Sequence, residues 1–119
     1  SGRSTTTSQV DIRTGQLSLG NPGSKKTLTN VAVRYKYGGS DLAVIILTND
    51  DSDDIGETPT TLSGSLTDTS GSLHAKEYST IGTTALQGQY WFQVKIAGTA
   101  DYRFVLDEVV LTYRELGVR

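Results

Sequence analysis

The sequence predicts an all-β protein, an antiparallel β-sandwich of jelly-roll type with about seven or eight strands. Three observations carry this. Apolar residues make up 35 % of the chain, a low share, while Ser, Thr and Gly are abundant, which suits turn-rich sheets better than a helical bundle. Stretches of strict alternation recur, with turn residues every 8–12 positions. No ten-residue segment carries helix formers at helical spacing.

Taken in order, residues 1–8 (SGRSTTTS) read as a polar, flexible tail, and residues 9–119 as a single sandwich domain. Methionine is absent even at position 1, so the chain is expected to be part of something longer. The first strand is predicted over 9–20, with Val10 and Ile12 on one face, and Leu17 and Leu19 following an irregularity at Gly15. Asn21-Pro22-Gly23 is a turn. The clearest strand spans 26–39, with Val31, Val33, Tyr35 and Tyr37 on one face and Ala32, Arg34 and Lys36 on the other. Gly38-Gly39-Ser40-Asp41 is predicted to close a hairpin, placing the next strand, LAVIILT at 42–48, antiparallel beside it. That segment is apolar on both faces, as a central strand covered on both sides should be.

Residues 49–61 are predicted to be an acidic loop, because Pro59 disfavours ladder pairing. Short strands are expected at 62–66 and 74–79, with turns at Ser70-Gly71 and Gln87-Gly88. Alternation returns at 89–98, with Tyr90, Phe92, Val94 and Ile96 inward and Trp91, Gln93 and Lys95 outward. Residues 98–101 are predicted to turn the chain into DYRFVLDEVVLTYREL. There the phase flips: Tyr102, Phe104 and Leu106 share one parity, while Val109, Leu111 and Tyr113 share the other. A period-2 face changes sides only through a bend, a bulge or a new strand. The expected solution is a strand that crosses from one sheet edge to the other, or kinks over the sandwich rim, near Leu106-Asp107-Glu108, with a last strand at 108–115 burying Val109, Leu111 and Tyr113. Phe92, Phe104, Val33, Tyr35, Ile46 and Leu111 are the predicted core.

The chemistry on offer is sparse. A formal net charge of −2 without a basic patch argues against nucleic acid, and no apolar run approaches the 18 or so residues of a membrane span. The absence of cysteine removes disulfides, thiolate metal sites and cysteine nucleophiles together. Asp50, Asp51, Asp53, Asp54 and Glu57 form the most chemical-looking stretch, and Asn49, Asp51 and Asp53 have the alternate spacing of a calcium loop. The spacing fails at its strictest points: Asp54 stands where Gly is needed and Thr60 where Glu is needed. A solvated acidic loop without bound metal is expected. His74 is the single histidine, too little for a metal site or a triad, and is predicted at the surface or a strand edge. Asp101, Asp107 and Glu108 are too close along one strand to face each other across a cleft as glycosidase carboxylates do. The chain is expected not to be an enzyme and to need no cofactor. Trp91, sharing a face with Gln93 and Lys95, is the candidate contact for a partner or ligand, since an outward Trp can anchor an interface or stack on a sugar.

Two resemblances follow from these residues. Gly88-Gln89-Tyr90-Trp91, the run from Leu106 to Tyr113, and Arg114, Leu116, Gly117 and Arg119 resemble the ending of β-sandwich domains in tailed-bacteriophage virion proteins. The strands at 25–50 are similar to those that precede it there. The resemblance implies a non-enzymatic structural domain of a phage tail or virion, packed against other virion subunits or itself. FVLDEVVL at 104–111 is similar to the last strand of galactose-binding-like and carbohydrate-binding jelly rolls. That motif belongs to the scaffold, and it implies as the alternative an extracellular glycan-binding module attached to a larger protein.

Overall fold

A computed structural model describes residues 7–15, 17, 23–49 and 57–115. Seven strands form two antiparallel sheets: β1 (Thr7–Arg13), β2 (Lys26–Lys36), β3 (Ala43–Asn49), β4 (Glu57–Thr61), β5 (His74–Ser79), β6 (Phe92–Asp101) and β7 (Val105–Glu115). One sheet has the order β1-β6-β3-β4 and the other β5-β2-β7. The fold is the predicted β-sandwich. The pairs β2·β7 and β3·β6 are nested in sequence, one in each sheet.

The core lies between the sheets, where period-2 faces meet. Val31, Val33 and Tyr35 of β2 pack with Val44 and Ile46 of β3 and with Phe92, Val94 and Ile96 of β6, all buried. Phe104 and Leu111, predicted for the core, are half-buried against it. Phe104 precedes β7, its ring 6.5 Å from that of Tyr35. Phe104→Ala is therefore expected to cost about 2 kcal/mol, less than a fully enclosed phenylalanine would. A loss in chemical denaturation as large as that of a fully buried phenylalanine would contradict the half-buried placement.

Several expectations are corrected. The turn at 38–41 does not close a hairpin: it carries the chain from one sheet to the other, so β2 and β3 are not neighbours. Tyr37 leaves the inward face because its φ of 60° ends β2; its N–H instead bonds the Ser70 carbonyl at 3.0 Å. The second half of the predicted 49–61 loop is strand β4, which tolerates Pro59 because it is an edge. Residues 62–66 are not a strand, although Leu62 and Leu66 donate N–H bonds to Val44 and Leu42. Residues 98–101 belong to β6; the turn falls instead at Tyr102-Arg103, leaving Tyr102 exposed. Leu19 and the acidic residues 50–56 lie outside the described residues.

The phase flip is a β-bulge. Arg34 pairs with Glu108 and Tyr35 with Leu106, so Asp107 is the extra residue and β7 stays in one sheet throughout. The strand does not cross the rim, because one inserted residue already reverses the facing of everything after it. A second bulge, at Thr29 of β2, keeps Leu28 and Val31 both inward. Tyr113 faces inward opposite Leu28 but is not buried, since it lies near the end of an edge strand.

Tyr78 closes the core beneath β5. Its hydroxyl donates to the Gly64 carbonyl at 2.9 Å, and burial, with a smaller contribution from Tyr35, pushes its pKa up to about 12. A phenol whose folded pKa is raised lends stability that is complete below its unfolded value, near 10, and is lost as pH rises through the folded value. Unfolding free energy should therefore decline between pH 10 and pH 12. Tyr78→Phe should make that decline shallower, with Tyr35, also raised by burial, supplying the remainder. Denaturant titrations at pH 8 through 11.5 (about half-unit steps) check this; an unchanged slope in the variant would refute it.

Candidate functional site

Trp91, Gln93 and Lys95 do not form an open platform. Trp91 immediately precedes β6 and is half-buried. Gln93, expected outward in solvent, is buried opposite Leu47 of β3. Its Nε2 donates to the Thr14 carbonyl at 2.6 Å, while its Oε1 has no hydrogen-bond partner among the described residues. The segment after β1 explains this: Thr14 and Leu17 hydrogen-bond the backbone of Val94 and Phe92, laying chain alongside the start of β6. Lys95 is half-buried in the middle of the sheet, between Arg13 and Ile45. Tyr90, expected inward, is exposed instead, with Lys25 Nζ 5.6 Å from its ring centre.

His74 sits on β5, at the sheet edge as expected, its Nε2 3.0 Å from Ser70 Oγ and its ring tilted against Tyr35. Glu108 pairs with Arg34 across the strands at 3.4 Å. Asp101 is engaged by Arg103: its carboxylate accepts from the backbone N–H, Nε and Nη2 at 2.9–3.1 Å. Those bonds hold the Asp101 carboxyl below its ordinary pKa and the guanidinium above its own. Asn49 pairs through its backbone with Glu57 at the end of β3, while Asp51 and Asp53 lie outside the described residues. Among the described residues no group of His, Cys, Asp and Glu could hold a metal ion, and no helix is long and apolar enough to cross a membrane.

One polar groove is a feature the sequence did not point to. A groove of about 530 Å³ runs where the chain passes between the sheets, lined by Gly38–Asp41, Thr67, Thr69 and Thr99–Asp101. Its floor is three backbone segments in close contact. Gly38 and Gly39 donate N–H bonds to the carbonyls of Asp68 and Leu66, both at 2.8 Å, and Asp101 N–H reaches Gly38 at 3.2 Å. A Cβ on Gly39 would lie 2.8 Å from Ala100 Cα, so the approach requires glycine. Asp41 Oδ1 accepts the Thr99 N–H at 3.0 Å, tying the crossover to β6.

The Arg103 guanidinium, bonded to the groove-lining Asp101, lies 4.3 Å from the Tyr37 ring centre and 5.3 Å from that of Tyr102. The groove therefore offers hydroxyls and carboxylates on a fixed floor. Such a set can hydrogen-bond a polyhydroxylated ligand. The sequence signal was faint: two adjacent glycines, an Asp and alternate threonines, spread over three segments. No family model, curated protein or solved structure matches this chain.

Proposed function

We propose that this chain is a non-enzymatic structural domain of a tailed-phage tail or virion protein, working through protein–protein contact. One observation supports the reading above others. Among the described residues, four of the seven exposed large apolar side chains, Tyr102, Val105, Val110 and Tyr113, lie along β7 or in the turn that enters it. Exposed apolar groups gathered on one element mark an interaction surface more than scattered ones do. In the parent phage, Val110→Lys should lower the amount of this chain in purified particles severalfold while leaving its melting temperature unchanged. Wild-type particles that lack the chain, or that take up the variant equally, would overturn the reading.

The groove favours a second reading, a glycan-binding module. Ser40, Asp41, Thr67 and Thr69 supply polar partners for sugar hydroxyls. On a glycan array this reading expects binding that is lost in Asp41→Ala but kept in Trp91→Ala. An array silent for the wild-type chain would remove it.

A further inference from the structure

We infer that two copies of this chain pair β7 against β7, antiparallel about a twofold axis at Leu111, to form one continuous six-stranded sheet. This rests on the protein-contact reading and names its partner as a second copy.

The four edges of the sandwich differ. β1 carries charged Asp11 and Arg13, β4 carries Pro59, and β5 is short with charged Lys76 and Glu77, all devices that discourage strand addition. β7 has eleven residues, and among the described residues nothing pairs with its outer edge. Its bulge at Asp107 blunts only the first part, leaving 108–115 regular.

The register follows from which groups point outward. The Thr112 carbonyl accepts from Thr29 Oγ1 at 3.1 Å and so faces β2. Alternation then aims the N–H and C=O groups of Val109, Leu111 and Tyr113 at the free edge. With Leu111 opposite itself, Val109 falls opposite the second copy's Tyr113, and every one of these outward groups finds a partner. On the core-facing side, half-exposed Tyr113 then packs on Val109 of the other copy. On the outer side, Val110 meets Thr112, and Glu108 meets Arg114 at both ends. A twofold at Val110 instead would place Tyr113 opposite the bulged Asp107 and leave Glu108 without a cation from the second copy. Charge and hydrogen bonding select the same register.

Sedimentation equilibrium of the wild-type chain and charge variants tests this. The wild type should dimerise reversibly. Glu108→Arg and Arg114→Glu, each placing like charges at both ends, should weaken the dimer by about tenfold or more, and the double swap should restore it. Because the chain has no cysteine, Val110→Cys with Thr112→Cys should give an intermolecular disulfide on mild oxidation, while either single variant should not. A wild-type chain that stays monomeric at millimolar concentration, a dimer indifferent to both reversals, or cross-linking by Val110→Cys alone would overturn the pairing. A monomer still incorporated into particles would refute the pairing and spare the protein-contact reading. A charge-sensitive dimer absent from particles would do the reverse.

Discussion

Phe92→Ala is expected to lower the unfolding free energy by about 3–5 kcal/mol, the range for a phenylalanine removed from a closed core. Phe92 is fully buried. It opens β6, pairing with Thr48 of β3 and exchanging backbone bonds with Leu17 at 2.7 and 3.0 Å. Neighbours fixed by these ladders have little freedom to collapse into the space the ring leaves, so the cavity contribution adds to the lost transfer energy. Urea unfolding should show a lower midpoint with an unchanged slope. Since the stability of a domain this size is about 5–15 kcal/mol, the variant should lose a large share of it. A loss below about 1.5 kcal/mol would mean that Phe92 does not fill the core.

Phe92 was legible because it lies in an alternating run, and the same holds for Val31, Val33, Tyr35, Val94 and Ile96. Alternation reports which side of a strand is apolar. It does not report which strand lies beside it, and so the turn at 38–41 was misread. Gly38-Gly39-Ser40-Asp41 has hairpin composition, but those glycines serve close backbone contact with Leu66 and Thr99–Ala100. Local composition is the same for a glycine that turns and a glycine that is overlaid. Gln93 failed for a related reason: its face is outward, yet chain from the segment after β1 bonds its side chain. The flip at Asp107 was visible as a flip, and three solutions were open. Choosing the bulge required the pairing of β7 with β2, which is long-range information. The groove was the least legible feature, because its lining comes from three segments that only the crossover brings together.

The crossover itself yields the second large expectation. Gly98→Ala should cost about 2–4 kcal/mol, combining backbone strain with overpacking. Gly98 has φ of 139°, a region that side-chain-bearing residues rarely adopt. A Cβ there would collide with the Asp41 carbonyl oxygen and lie 3.0 Å from Leu42 Cα. Both contacts are with backbone, so no rotamer change relieves them. Asp41 is also the residue whose carboxylate holds the Thr99 N–H, and displacing it should loosen the groove floor along with the link between sheets. Gly15→Ala is the matched control, since a Cβ at Gly15 meets nothing within 4 Å. Thermal unfolding should show Gly98→Ala well below wild type and Gly15→Ala within about 0.5 kcal/mol of it. In hydrogen exchange, the Thr99 and Gly39 amides should lose protection in Gly98→Ala beyond the global loss, because the crossover opens first. Equal stability of the two variants would refute the close approach of Gly98 to Asp41, and with it the rigid groove floor.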